Sequence, residues 1–423
     1  MRHIKENPFD LNEESLFLSQ NILGMKQNLS IQNNIYYVGV NDRRKPLFEN
    51  MWTLPYGVSY NSYLIVDDDT VTLVDTVDVA FFEEFMKKIH SIIGDRKIDY
   101  LIINHMEPDH SGSFGLFHHF YPDIVVVGNK LTFGMVEGYY GTFGKRHLVT
   151  DGDILDLGHH KLHFVMTPMI HWPETMMTYD ENSGMLFSGD AFGAFGALNG
   201  GFVDSHIDLS YFDDEMTRYY AAIVGKYGSP VQRALEKLRN VDIKMICSTH
   251  GPVWSGENVS RIVGKYDRMS CYDTDMGVVI AYATMYGHTE EMAEAIAAEL
   301  VAKGVNPVKM YDVTRTDSSY ILRDIFKYKG LILGCPTYCG QIYPDMEALM
   351  EKISVREIKN HYLGFFGSFT WAGAAVRRIS KWTEGVKMEL IGPPVEMKQA
   401  MDDKDEEKAM LLADEMSDHL NSI

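Results

Sequence analysis

The sequence predicts a two-domain α/β protein whose second domain is a doubly wound parallel sheet. Along the 423-residue chain, apolar runs typical of strands alternate with stretches of helical spacing. Near residue 271 the pattern starts again with a continuous apolar run, and strands and helices then alternate to the end of the chain. We therefore predict a first domain over residues 1–270 and a second over residues 271–423.

The first domain is predicted to begin with several short strands. Apolar residues predict strands at 35–40, 63–66 and 71–75. Apolar residues recur at helical spacing between 81 and 93, which predicts a helix there. A longer helix is predicted over 213–238. The tetrapeptide Glu181-Asn182-Ser183-Gly184 predicts a hairpin turn between two further strands.

Four side chains able to bind a metal follow the predicted strand at residues 100–104. His105, Glu107, Asp109 and His110 lie within six consecutive positions. Alternate residues of an extended segment point the same way, so we expect His105, Glu107 and Asp109 to converge on one side. Holding the two carboxylates so close together is costly without a cation to neutralise them. The run therefore favours a metal site over a polar loop with ordinary histidines.

Three further ligand-type residues, His171, Asp190 and His250, each follow closely after an apolar run. We expect each run to be a strand whose last residues reach one edge of a sheet. A single histidine in such a position is more often structural than a ligand. Together with the first cluster, however, these residues make seven candidates, four His, two Asp and one Glu. That number suits two metals with three protein ligands each and one shared carboxylate.

This pattern resembles the metallo-β-lactamase fold and, more narrowly, the flavodiiron (A-type flavoprotein) family. Hydrolases of the fold usually carry H-x-H-x-D-H, whereas Glu107 occupies the middle position here. A carboxylate in place of an imidazole favours iron or manganese over zinc, although affinity alone does not exclude zinc. The resemblance implies an αββα sandwich with the metals at one edge of two packed sheets. It also implies one iron on His105, Glu107 and His171, a second on Asp109, His110 and His250, and Asp190 as the bridge.

The second domain is predicted to begin with a strand at residues 277–283, whose continuous hydrophobicity is typical of a buried parallel strand. Further strands are predicted near 308–311, 330–334 and 362–367, and a final helix at 403–420. Ligands of doubly wound sheets bind outside the carboxyl ends of the strands. The loops that follow these strands are therefore the candidate ligand-binding segments.

Three of these loops are predicted to bind a flavin. The first offers hydroxyl and backbone N–H groups to an anion at the start of a helix, and it resembles the flavodoxin phosphate loop T/S-x-T-G-x-T with Tyr286 at the central Thr position. The other two each carry an aromatic residue, Tyr338 or Trp371, and flavodoxin-like proteins hold the FMN ring between such loops. For Trp371 the alternative interpretation is core packing. The three loops are Thr284-Met285-Tyr286-Gly287-His288-Thr289, Pro336-Thr337-Tyr338-Cys339-Gly340 and Ser368-Phe369-Thr370-Trp371-Ala372-Gly373.

Composition narrows the functional classes. A net charge of -20 opposes binding to nucleic-acid phosphates. The four cysteines form no C-x-x-C pair, so no rubredoxin-type iron site is expected, and so few unpaired cysteines suit a cytoplasmic protein. The segment Met1–Pro8 lacks the apolar core of a signal peptide, and no apolar stretch is long enough for a membrane span.

The resemblance implies an oxidoreductase that reduces O2 to water, NO to N2O, or both, with electrons passing from FMN to two irons. It further implies a head-to-tail homodimer or a dimer of dimers, and an external donor such as rubredoxin or a reduced deazaflavin. Two alternatives stay open. One is a dinuclear zinc hydrolase fused to a flavodoxin-like domain, and the other is a flavin electron carrier whose metal site is only structural.

Overall fold

The computed structural model describes residues 29–422. The beginning of the predicted first domain, including the segment Met1–Pro8 in which no signal peptide is expected, lies outside the described residues. The predicted fold class is confirmed. The first half contains two packed sheets with helices outside them, and the second half contains a parallel sheet between two layers of helices.

The first sheet has seven strands, and its central strands deliver the first ligand cluster. Its order is β1-β2-β7-β8-β9-β10-β11, and β8 to β11 are mutually parallel. Two small antiparallel ribbons, β3 with β6 and β4 with β5, lie between β2 and β7 in the chain. The strands are β1 Ser30–Gln32, β2 Ile35–Tyr37, β3 Val40–Asp42, β4 Leu47–Phe48, β5 Trp52–Thr53, β6 Val58–Tyr60, β7 Tyr63–Val66, β8 Val71–Val74, β9 Tyr100–Ile102, β10 Val125–Gly128 and β11 Lys145–Leu148.

The second sheet has six strands in chain order, β12 to β17. The predicted turn at residues 181–184 is confirmed, because it connects the antiparallel strands β14 and β15. Strand β16 then returns parallel to β15, so that both strands end at the same edge of the sheet. The strands are β12 Ile154–Asp156, β13 Lys161–Met166, β14 Met176–Asp180, β15 Met185–Gly189, β16 Met245–Ser248 and β17 Trp254–Ser255.

Helices cover the outer faces of both sheets. The predicted helix at 81–93 is present as α1 and the 3-10 turn that precedes it. Five buried side chains of α1 recur at helical spacing, which is why its amphipathic pattern is visible in the sequence. The helices are α1 Phe82–Ile93, α2 Pro108–Ser111, α3 Phe114–Phe120, α4 Lys130–Tyr140, α5 Phe212–Tyr219, α6 Gly228–Leu238 and α7 Glu257–Ser270, with 3-10 turns at Val79–Phe81 and Asp204–His206.

The predicted continuous helix at 213–238 is wrong. The segment divides into α5, a π-helical turn at Tyr220–Val224, and α6. A Cβ on Gly225 would lie 2.8 Å from the ring of Phe326, and one on Gly228 would lie 2.4 Å from the carbonyl oxygen of Ser270. The break thus depends on two close tertiary approaches, which hydrophobic periodicity does not reveal.

The sheet of the second half is parallel, with the flavodoxin-like order β19-β18-β20-β21-β22. A short strand, β23, also pairs with β21, beyond the point where β22 ends. The strands are β18 Asp275–Tyr282, β19 Val308–Asp312, β20 Tyr328–Pro336, β21 Lys359–Phe369, β22 Lys387–Leu390 and β23 Val395–Lys398. The helices are α8 His288–Ala302, α9 Ser318–Lys327, α10 Pro344–Val355, α11 Ala375–Thr383 and α12 Asp403–Asn421.

The two faces of this sheet have different surroundings. Helices α8 and α12 bury an apolar cluster of their own against one face. On the other face, Ile321, Ile325 and Phe326 of α9 belong to the same apolar core as the two-sheet domain. The second half therefore shares a continuous core with the first. Within the described part of the chain, no helix is long and apolar enough to cross a membrane.

A buried ion pair joins the two ends of the β13–β14 hairpin. The Nδ1 atom of His160 lies 2.9 Å from Oδ2 of Asp180, and both side chains are buried. Burial alone would lower the pKa of His160, but the hydrogen bond to Asp180 raises it above its ordinary value. The stability gained from a raised histidine pKa is fully present below the unfolded-state pKa of about 6.5, and it is lost as the pH rises through the folded-state value.

We therefore expect His160→Gln to lower the urea midpoint of unfolding more at about pH 6 than at about pH 9. The matched control is His163→Gln, because His163 pairs with the exposed Glu181. Its effect on the midpoint is expected to be small at either pH. An equal loss at both pH values in the His160 variant would contradict this account.

Candidate metal centre and flavin site

The structure brings all seven predicted metal ligands together at the edge where both sheets end. Every one of these side chains is buried. The first cluster follows β9, and the other three ligands follow β13, β15 and β16. The seven are His105, Glu107, Asp109, His110, His171, Asp190 and His250.

The expectation that His105, Glu107 and Asp109 share one side of an extended segment is wrong. Pro108 begins the short helix α2, so the extended backbone ends at Glu107. The helical turn carries Asp109 and His110 away from the first two residues and towards a second group. Because of this change of direction, one short run of sequence supplies ligands to two neighbouring metal positions.

The first group consists of His105, Glu107 and His171, closed by one oxygen of Asp190. The Nε2 atom of His171 lies 3.0 Å from Oε2 of Glu107 and 3.1 Å from Oδ2 of Asp190. The Nε2 atoms of the two histidines are 3.3 Å apart. Two imidazole nitrogens and two carboxylate oxygens thus face one small volume, an arrangement that suits a cation with oxygen and nitrogen ligands.

The second group consists of Asp109, His110 and His250. The Nε2 atoms of His110 and His250 are 3.0 Å apart, and Asp109 lies within 3.4 Å of both. The other oxygen of Asp190, Oδ1, is 3.1 Å from Nε2 of His110. Asp190 therefore presents one oxygen to each group, which is the geometry required of a bridging carboxylate.

Hydrogen bonding within the protein leaves these ligands incompletely satisfied, as a metal site requires. Both oxygens of Asp109 and Oδ2 of Asp190 are buried without a hydrogen-bond partner among the described residues. Burial alone would lower the pKa of His110 and His171, but the neighbouring carboxylates raise both values to about 9. The site thus strongly attracts positive charge, and two metal ions would satisfy that demand without protonating the histidines.

Buried acceptors outside the two groups orient the ligands. Oε1 of Glu174 lies 2.8 Å from Nδ1 of His105 and accepts a hydrogen bond from the backbone of Met106. The Nδ1 atom of His250 lies 2.7 Å from the carbonyl oxygen of Ser59. These contacts leave Nε2 of each histidine free to face the site. Sequence reasoning missed Glu174, because it is not part of the ligand pattern.

We expect Glu174→Gln to weaken iron binding by about 10- to 100-fold, since His105 would lose its carboxylate partner. Equilibrium competition with a chromogenic chelator measures this loss. The matched control is Glu181→Gln, which removes an exposed carboxylate that pairs with His163 at the surface. Unchanged iron affinity in the Glu174 variant would show that this contact does not orient the ligand.

Aromatic rings surround the ligands. Trp172, which directly follows the ligand His171, contacts the rings of His105 and His171 at centroid distances of 5.3 and 6.1 Å. The rings of Phe48 and Tyr219 lie 5.2 and 5.4 Å from that of His250. Phe48 and Tyr219 come from distant parts of the chain, and nothing in their local sequence indicates this role.

The three predicted flavin loops lie side by side at the carboxyl ends of β18, β20 and β21, and hydrogen bonds connect them. The hydroxyls of Thr289 and Ser368 are 2.9 Å apart and join the first loop to the third. Thr337 joins the second loop to the third, because its backbone N–H donates to the carbonyl of Ser368 and its hydroxyl accepts from Ala374. The loops thus form one continuous cradle, as expected of a flavin site.

The first loop has the features of a phosphate site. The hydroxyl of Thr284 accepts a hydrogen bond from the backbone N–H of Gly287, and Gly287 has φ +100° where helix α8 begins. The N-terminus of this 15-residue helix provides free backbone N–H groups and a positive dipole end. Tyr286 is 89% exposed, and His288 lies at the surface beside Glu291.

The second and third loops carry exposed aromatic side chains. In the second loop, Tyr338 and Gln341 flank a tight turn in which both Cys339 and Gly340 have positive φ. In the third loop, Trp371 is 89% exposed, so the alternative interpretation of this residue as core packing is wrong. Both rings are available to a flat ligand bound between the loops.

Comparison with known proteins agrees with this two-part organisation. The family model described as "ODP family beta lactamase" matches residues 58–251, and the flavodoxin model matches residues 280–411. A nitric oxide reductase from Moorella thermoacetica is 33% identical over 88% of this chain and 93% of its own length. An anaerobic nitric oxide reductase flavorubredoxin from Enterobacter sp. strain 638 is 34% identical over 86% of this chain and 76% of its own length.

Solved structures show the same architecture. The rubredoxin oxygen:oxidoreductase of Desulfovibrio gigas superposes with a TM-score of 0.89 at 28% identity, covering 93% of this chain and 98% of that one. The flavodiiron protein of Giardia intestinalis superposes with a TM-score of 0.86 at 26% identity, with the same coverage of both chains. With these similarities over nearly its whole described length, the chain belongs to the flavodiiron family.

Proposed function

We propose that this protein is an FMN-dependent diiron oxidoreductase that reduces O2, NO or both. The observation that carries the proposal is Asp190, whose two oxygens face two buried groups of His and carboxylate ligands. The same chain carries a three-loop cradle suited to FMN. The relatives support both NO and O2 as substrates, because their names describe nitric oxide reductases and an oxygen oxidoreductase.

The side chains take distinct roles in this proposal. His105, Glu107 and His171 would hold one iron, Asp109, His110 and His250 would hold the other, and Asp190 would contribute one oxygen to each. When bound, the irons would supply open coordination positions and, together with FMN, the electrons for reducing the gas. The rings of Trp172, Phe48 and Tyr219 limit the access of water to the ligands.

We further propose two functional domains, residues 1–270 for the diiron site and 271–423 for FMN. Membership of the flavodiiron family supports a head-to-tail homodimer or a dimer of dimers, in which the FMN of one chain would pass electrons to the metal site of the other. An external donor such as rubredoxin or a reduced deazaflavin would supply electrons. A cytoplasmic location is supported by the four cysteines, all of which are free thiols.

The proposed function is tested by anaerobic stopped-flow mixing of the fully reduced protein with O2 and, separately, with NO. Flavin reoxidation is followed by absorbance, and the rates with the two gases identify the substrate. We expect rapid reoxidation by at least one gas. The matched control is protein reconstituted with FMN and zinc, because zinc has no redox chemistry and a zinc-loaded site cannot pass electrons to the gas. If neither gas reoxidises protein shown to contain iron and FMN faster than this control, the proposal is overturned.

A further inference from the structure

Arg356 is a buried cation that forms no ion pair with any residue in 29–422, and it lies in the flavodoxin-like half of the chain. It follows helix α10 and is 6% exposed. Among the described residues, no carboxylate lies within ion-pair distance of its guanidinium, and burial lowers its pKa to about 10. Burying an unpaired charge is costly, so the contacts that compensate for it identify what this residue stabilises.

Those contacts lie mostly in the metal-binding half. The Nε and Nη2 atoms of Arg356 donate to the carbonyl oxygens of Ala221 and Ala222 at 2.6 and 2.7 Å. The guanidinium carbon lies 5.2 Å from the centre of the Trp52 ring. A planar guanidinium suits this combination of two carbonyls and an aromatic face, whereas a lysine ammonium does not reproduce it.

Each contact supports an element that carries one aromatic wall of the site. Ala221 and Ala222 lie in the π-helical turn, directly after Tyr219. Trp52 is the cross-strand partner of Phe48 in the β4–β5 ribbon. Arg356 therefore holds the two backbone segments from which Phe48 and Tyr219 reach the metal site.

Phe48 and Tyr219 meet on the same ligand. Their rings contact His250 from two directions, with interplanar angles of 87° and 48°, and they also contact each other at a centroid distance of 6.1 Å. A second buried arginine, Arg218, reinforces this junction. Its guanidinium donates to the carbonyl of Thr53 in the ribbon and to the hydroxyl of Ser319 in the flavodoxin-like half, both at 2.9 Å.

We propose that Arg356 is a positioning residue for the metal site of its own chain and acts on His250 through Phe48 and Tyr219. The inference rests on the proposed diiron function and extends it. The flavodoxin-like half then has two roles. It binds FMN at one edge of its sheet, and through Arg356, which follows helix α10, it supports an aromatic wall of the metal site. We expect the effect mainly at the iron that Asp109, His110 and His250 would hold, since the rings of Phe48 and Tyr219 contact His250 directly. Trp52 connects to the other ligand group only indirectly, through the hydrogen bond from its indole to Glu49.

The test is iron release from Arg356→Met holoprotein into a ferrous chelator under anaerobic conditions. We expect one of the two irons to leave roughly fivefold faster than in the wild type, and the other to leave at the wild-type rate. One of two iron signals in the Mössbauer spectrum is expected to change, while FMN content and the flavin potential stay unchanged. The matched control is Arg315→Met, which removes an exposed arginine of the same half and should alter none of these quantities.

A second variant, Trp52→Leu, removes the ring contact while keeping Arg356, and it should show the same selective release if Arg356→Met fails to fold. Faster loss of both irons together with FMN would indicate general destabilisation and overturn the inference. Iron release at the wild-type rate would also overturn it. Failure of the proposed function is distinguishable, because in that case the wild-type protein itself does not bind two irons or does not react with either gas.

Discussion

Replacing Asp190 with asparagine is expected to lower the rate of O2 or NO reduction by about 100-fold or more, while chemical reduction of the flavin stays at the wild-type rate. The reason is geometric. Oδ2 of Asp190 lies 3.1 Å from Nε2 of His171, and Oδ1 lies 3.1 Å from Nε2 of His110. An amide presents one oxygen and one NH2 group, so it cannot offer a ligand oxygen to both groups, and it also removes a buried negative charge.

The measurement combines iron content with the stopped-flow assay. We expect Asp190→Asn to retain at most one iron per chain and a full complement of FMN. Asp95→Asn, an exposed position of the same half, serves as the control and should behave as the wild type. If Asp190→Asn reduced gas at the wild-type rate, the metal site would be only structural, and the protein would be better described as a flavin electron carrier.

Much of the fold is visible in the sequence because local patterns determine it. The strand at 63–66 and the turn at 181–184 coincide with the structure, since apolar runs and turn residues are local signals. The prediction of a long helix at 213–238 was wrong for the opposite reason. Its interruption depends on Gly225 and Gly228 meeting Phe326 and Ser270, contacts that no local pattern contains.

The metal site also combines features that local sequence predicts with features that only the structure reveals. Its seven ligands were predictable because metal binding demands particular residue types after strands that end at one edge. Their partition between two groups was implied by the family resemblance, but the residue pattern alone predicted a different grouping, because Pro108 turns the chain at a point where an extended segment was expected. Residues that act through others, such as Glu174 and Arg356, carry no such signature. They are recognised only by what they contact, Nδ1 of His105 in one case and the carbonyls of Ala221 and Ala222 in the other.

Replacing Glu107 with histidine is expected to convert the preference of the site from iron to zinc. The change recreates the H-x-H-x-D-H pattern of hydrolases with this fold. Oε2 of Glu107 lies 3.0 Å from Nε2 of His171 and 3.4 Å from Nε2 of His105, and these two histidines hold its pKa well below the ordinary value of a glutamate despite its burial. An imidazole in its place removes a hard anionic oxygen and one negative charge, which favours the softer metal.

The measurement is the metal content of Glu107→His protein reconstituted with equal amounts of Fe²⁺ and Zn²⁺, followed by the stopped-flow assay. We expect zinc to predominate and gas reduction to fall by about 100-fold, because zinc cannot change its oxidation state. Glu107→Asp is the matched control. It keeps the carboxylate on a shorter side chain, so it should bind iron more weakly without a new preference for zinc. If Glu107→His still selected iron and reduced gas at the wild-type rate, the choice of metal would be set by ligands other than residue 107, and the departure of this chain from the hydrolase pattern would not explain its chemistry.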